Sequence, residues 1–147
     1  MIEDIENVAR AMFSPKMVIN GEIQPEAFRL RASVSESYIS VMRMSVPTWI
    51  EDIKHIPQRK NRRLYGFAEM NAGEIRHIRL NNVSYDVQEC SSESLPSHAG
   101  IFITVNGENL IGGKSIEMAE PDVEQDFHLL AIQRELVDIA QKGLYII

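Results

Sequence analysis

Val83-Ser84-Tyr85-Asp86-Val87-Gln88-Glu89-Cys90 and His98-Ala99-Gly100-Ile101-Phe102-Ile103-Thr104-Val105 decide the fold. In each segment apolar residues recur at every second position, the period of a strand with one buried face. Joined through the loop 91–97, which holds Pro96, the two set Val87 opposite Ile101, Tyr85 opposite Ile103 and Val83 opposite Val105. All of these residues then share one face. Upstream, the turn Asn81-Asn82 sets Leu80 opposite Val83, Ile78 opposite Tyr85 and His77 opposite Asp86, on a register that agrees with the first. Downstream, Asn106-Gly107 is a hairpin turn that brings Leu110 beside Ile103. Further strands are expected over 63–70 and 75–80. A turn at Ala72-Gly73 joins them, with Phe67 opposite Ile78 and Glu69 opposite Arg76. The reading is α+β: an antiparallel meander of four to six strands with one mostly apolar face.

Helices are expected at the two ends. Ile5, Val8, Ala9 and Met12 form a helical stripe over residues 3–12, stopped at Ser14-Pro15. Between Pro121 and Gly143 a long helix is expected, with Leu129, Ile132, Leu136, Ile139 and Ala140 as its apolar stripe. Phe127 and Leu130 widen that stripe. Asp122, Glu124 and Asp126 favour the positive end of the helix dipole, and Lys142-Gly143 suit the other end. The tail Leu144-Tyr145-Ile146-Ile147 is too apolar to float freely; it adds an edge strand or joins a dimer contact. Elsewhere Asn20-Gly21 turns between residues 17–19 and 22–23. Residues 28–32 alternate as a strand, 33–37 read as a loop, and 38–43 as the return strand. Thr48 caps a short helix over 49–55 before Pro57. Trp49, Met42, Met44 and Met70 read as core.

The 147 residues are 44% hydrophobic and 24% charged, within the range of a globular domain and too apolar for a disordered chain. A single domain over 1–147 is expected. No apolar run reaches the ~20 residues that span a bilayer. The acidic start Met1-Ile2-Glu3-Asp4 lacks the apolar core of a secretory signal, so the chain is read as cytoplasmic. The lone cysteine, Cys90, excludes an intrachain disulfide and an all-cysteine zinc site. The net charge of −6 conceals an uneven distribution. Residues 43–80 carry an excess of arginine and lysine that peaks at Lys54, Arg59, Lys60, Arg62 and Arg63. Glu117, Glu120, Asp122, Glu124 and Asp126 form the opposite peak.

Four sets of residues bear chemistry. His77 and Asp86, opposite one another in the expected register, would give a carboxylate-oriented imidazole. The plain alternative is a cross-strand polar pair worth about 0.2–1 kcal/mol. Cys90 and His98 flank the 91–97 loop, where an imidazole could activate a thiol; the alternative is an inert half-buried thiol. The two pairs lie ~13 Å apart at ~3.3 Å per residue, too far to form one site or share a metal ion. The basic loop 54–63 could bind phosphate or nucleic acid, and Arg29, Arg31 and Arg43 with the hydroxyls of Ser33 to Ser37 could bind an anion. The alternative for both is a solvated surface, and whole-chain acidity weighs against unspecific nucleic-acid binding. HExxH, CxxC, the Walker loop, GxGxxG and GxSxG are all missing. No cofactor and no metal site are expected. The reading is a non-catalytic binding or interaction module, self-associating through the C-terminal helix and tail. The alternatives are a small enzyme built on Cys90–His98 and a phosphate or nucleic-acid binder built on the 54–63 loop.

Overall fold

The computed structural model describes residues 1–59, 61–114 and 125–147. In chain order its elements are β1 (Asn7–Ser14), β2 (Val18–Ile19), β3 (Glu22–Ile23), a 3-10 turn (Pro25–Phe28), β4 (Ile39–Arg43), α1 (Trp49–Lys54), β5 (Arg63–Asn71), α2 (Ala72–Arg76), β6 (Val83–Glu89), β7 (His98–Val105), β8 (Glu108–Asn109), α3 (Gln125–Gln141) and β9 (Leu144–Ile146). Seven strands form one sheet in the order β6-β7-β4-β1-β5-β9, with β8 paired to β7. Every pairing is antiparallel. The chain is thus α+β, with an antiparallel sheet and a C-terminal helix.

β6 and β7 pair in the expected register: Val83 with Val105, Tyr85 with Ile103 and Val87 with Ile101. All six side chains are buried. The hairpin turns at Asn20-Gly21 and Asn106-Gly107 also form, with both residues of each at positive φ, as the tight β-turn demands. Leu110 N–H donates to Ile103 C=O at 2.7 Å, placing Leu110 where expected.

Three expectations are corrected. Residues 3–12 do not form a helix; they supply β1, at the centre of the sheet between β4 and β5. Val8 and Met12 pack into one core, while Ala9, Ala11 and Phe13 pack into a second on the opposite face. Burial on both faces erases the alternation and leaves a spacing that imitates a helical stripe. Residues 28–32 are not a strand: Pro25, whose fixed φ suits a first helical position, opens the 3-10 turn that buries Ala27 and Phe28. Residues 75–80 are not a strand either. The Asn71 side chain accepts from Glu74 N–H at 3.0 Å and caps α2, leaving only a Leu80–Val83 bridge of the expected hairpin. β5 and β6 are therefore not neighbours, and β7, β4 and β1 stand between them in the sheet.

α3 covers one face. Ile132, Leu136 and Ala140 are buried, with Leu129, Val137 and Ile139 packed beside them, much as the stripe predicts. Each fully buried Ile or Leu contributes about 1.5–3 kcal/mol. The Tyr85 hydroxyl donates to Ile132 C=O at 2.8 Å and ties helix to sheet. The expectations at Pro121, Asp122 and Glu124, and for the Asp126 side chain, lie outside the described residues, as do those at Glu117 and Glu120. The tail does add an edge strand: β9 pairs Ile146, Tyr145 and Leu144 with Gly66, Phe67 and Ala68. The second face is covered by α1, where Ile53 and Trp49 meet Ala9, Ala11, Phe13, Met42 and Phe67. Met42 and Met70 are buried and Met44 packs at the margin, so these methionines are core.

Candidate functional site

His77 and Asp86 are not brought together. His77 closes α2, its Nδ1 2.6 Å from Gly73 O. Asp86 takes Arg76 instead, Nε to Oδ1 at 2.8 Å, and Arg76 also donates to Asp4 at 2.7 Å and to Val87 C=O at 2.8 Å. Burial pushes the Asp86 carboxyl up. The bonds from Arg76, Gln88 and Val87 N–H outweigh it, and the net displacement is downward. The group is a structural pin between the chain start, α2 and β6.

Cys90 and His98 are neighbours as expected, with Cys90 N–H donating to His98 C=O at 3.0 Å. Their side chains do not form the pair. His98 Nε2 lies 2.9 Å from Ser40 Oγ, and the Cys90 sulfur sits 3.9 Å from Gln88 O. Burial lowers the His98 imidazole, against a bond to the Cys90 backbone and the charge of Asp52. Burial raises the Cys90 thiol, with partial opposition from a bond to Tyr38. The balance favours neutral imidazole and protonated thiol, the reverse of an activated thiolate. Ser40 went unnoticed in the sequence because the β4–β7 register that sets it beside Gly100 crosses a long connection.

Asp52, on α1, is 4% exposed and accepts from Ser97 N–H at 3.1 Å, Ser97 Oγ at 2.5 Å and Thr48 Oγ1 at 3.2 Å. Burial raises its carboxyl, yet these bonds and nearby His55 prevail and hold it low. It anchors α1 to the start of β7. Among the described residues no group of three or more His, Cys, Asp or Glu is placed to hold a metal ion. A pocket of about 180 Å³ lies between Leu129 and Ile132 of α3 and Phe28, Leu30, Ile103 and Leu110. Among the described residues no histidine, cysteine or carboxylate lines it.

The arginines do converge. Arg59 and Arg62 exchange backbone hydrogen bonds of 2.9 and 3.0 Å, closing a tight turn in the basic loop. The Arg62 guanidinium lies over the Phe13 ring, 4.0 Å from its centroid, a cation–π seat. Burial lowers its pKa, and the charges of Arg31 and Arg59 lower it further. Arg31 is held by Glu36 through bonds of 3.1, 3.2 and 3.1 Å.

Arg10 completes the group from β1. Its Nε and Nη2 donate to Ala27 C=O at 3.1 and 3.0 Å, and its Nη1 to Ser40 C=O at 2.8 Å. Burial pushes its pKa down to about 10; Arg62 and Arg31 add to this, and Glu36 opposes it. Arg62 is thus coupled to Arg10, Arg31 and Arg59, and among the described residues Glu36 is the acid coupled to this set. Two regions nominated separately in the sequence meet here. Arg29 and Arg43 do not join: Arg29 faces Glu26 at 3.7 Å, and Arg43 is bound by Glu6 at 2.8 Å and Glu89 at 2.6 Å. Lys54 and Arg63 stand exposed at the two ends of the loop, and Lys60 lies outside the described residues.

No family model matches the chain, and neither a curated protein nor a solved structure is significantly similar to it. No helix among the described residues is long and apolar enough to cross a membrane.

Proposed function

We propose that the chain is a non-catalytic binding module that takes an anionic partner on the surface formed by Arg31, Arg59 and Arg62. The observation that carries this reading is the electrostatic coupling of Arg62 to Arg31 and Arg59, and of Arg10 to Arg31 and Arg62, with Glu36 the carboxylate coupled to them among the described residues. Clustered like charges oppose each other, and an anion bound among them relieves that repulsion. Glu36 already engages Arg31, and among the described residues no carboxylate forms an ion pair with Arg59 or Arg62. These two are the cations a ligand would meet first.

Retention on a heparin column tests the reading. The protein should bind at low salt and elute as salt rises, and Arg59→Gln/Arg62→Gln should elute earlier while remaining folded by circular dichroism, with the loss of the Phe13 contact costing about 0.5–1 kcal/mol of stability. Losing two cationic contacts would also make retention less steeply dependent on salt. Flow-through of the unsubstituted protein at low salt would end the reading.

Self-association through the C-terminal segment belongs to the same proposal. β9 is the last strand of its sheet edge, and Tyr145, Ile146, Ile147 and Phe127 are exposed. Light scattering that gives a monomer at high concentration would remove this part. The enzymatic alternative through Cys90 needs a thiolate, which the burial around the sulfur disfavours.

A further inference from the structure

We propose that the anionic partner is a single-stranded nucleic acid, its bases stacking on the aromatic run Trp49–Phe67–Tyr145 and its phosphates meeting Arg59 and Arg62. This rests on the anion-binding reading above and names the ligand of that surface. Trp49 and Phe67 meet edge to face with centroids 5.0 Å apart, and Phe67 and Tyr145 stack at 5.3 Å with 27° between planes. The run crosses the α1 side of the sheet to its β9 edge. Trp49 and Phe67 are half-buried, and Tyr145 is 53% exposed.

The strand register places the arginines beside these rings. Phe67 pairs with Ala11, and Leu64 pairs with Phe13, over which Arg62 lies. Ala11 and Phe13 are two residues apart on β1 and belong to the same packed cluster as Phe67 and Trp49. The register shifts between Met12 and Phe13, so two residues of β1 face three of β5, and Phe13, on which Arg62 is seated, lies about 7–10 Å along the sheet from the Phe67 row at ~3.3 Å per residue. Cations flanking exposed rings form the usual arrangement for holding a backbone while unpaired bases stack. A duplex hides its base faces, and an acidic peptide makes no use of a row of rings. Single strands therefore fit both halves of the surface.

Trp49 is the sole tryptophan of the chain, so its emission reports stacking directly. A labelled oligothymidine would be titrated by fluorescence anisotropy while Trp49 emission is followed. A duplex of equal length, heparin and poly-glutamate serve as comparisons. The oligothymidine should bind most tightly and quench Trp49. Tyr145→Leu, which keeps an apolar contact with Phe67, should weaken oligothymidine binding about tenfold or more and leave heparin retention unchanged. If Tyr145→Leu does not fold, quenching in the unsubstituted protein decides. Equal binding of oligothymidine, duplex and heparin with unquenched Trp49 would overturn the inference and leave the anion surface standing. Poly-glutamate binding as tightly as oligothymidine would also overturn it, in favour of an acidic protein segment. Binding of none of these overturns both readings.

Discussion

Gly66→Ala should release β9 from the sheet without unfolding the rest. A methyl group at position 66 would overlap the Tyr145 carbonyl oxygen, lying 2.9 Å from its carbonyl carbon and 3.0 Å from Ile146 Cα. These are backbone atoms and cannot swing aside, so β9 must move as a unit. The movement breaks the pairing of Gly66, Phe67 and Ala68 with β9, the Ile147 N–H bond to Tyr65 C=O at 3.1 Å and the Phe67–Tyr145 stack. With net hydrogen bonds near 0.5–1.5 kcal/mol and a ring pair near 0.5–1.5 kcal/mol, the loss is about 2–5 kcal/mol. It is also bounded: once β9 has detached, the added methyl meets nothing from that strand. Gly66→Ala, a chain truncated after Gly143, and the two combined should therefore lose similar stability in urea unfolding. The double change should not sum. Additive losses would refute the reasoning, because they would place the strain of the methyl group somewhere other than β9.

Leu136→Ala removes a fully buried side chain from the middle of α3 and should cost about 2–5 kcal/mol, lowering the melting temperature by about 5–15 °C in calorimetry. Asp52 has a lowered carboxyl pKa in the folded state, so its contribution is complete above the unfolded value near ~3.9 and is lost as pH falls through the folded value. Asp52→Asn should consequently be less stable than the parent at pH 7, with a smaller difference at low pH; unfolding midpoints across that range measure it. Cys90, its pKa raised by burial, should react with iodoacetamide more slowly than a free thiol at pH 8, and faster alkylation would reopen the enzymatic alternative.

The β6–β7 hairpin was legible because each strand buries one face, so alternation alone fixed which residues oppose one another. β1 was not legible for the opposite reason. With Val8 and Met12 on one side and Ala9, Ala11 and Phe13 on the other, both faces are apolar and no period of two survives. α2 carried a readable signal that alternation over Ile78-Arg79-Leu80 overrode: Asn71 followed by Glu74, the spacing of a helix start. Misplacing that segment also misassigned Asp86, whose partner is Arg76 and not His77. The Arg59–Arg63 cluster could be read directly. The arrival of Arg31 and Arg10 beside it could not, since both depend on the position of β1 and the 3-10 turn. The row Trp49–Phe67–Tyr145 draws one ring from each of three distant elements and likewise has no local signature.

The central place of β1 constrains how the sheet can assemble. It is the earliest strand of this chain to leave the ribosome, yet both of its neighbours come later, Val8 pairing with Arg43 on one side and Met70 on the other. Contacts between residues so far apart in sequence make the loop-closure entropy the chief obstacle to assembly and slow folding relative to a meander. Until Arg43 has been synthesised β1 offers both of its backbone edges, and until Asn71 has followed it still offers one edge to any other unpaired strand. Aggregation during expression should accordingly be most severe for nascent or truncated chains that stop short of β5, and least for those that carry it.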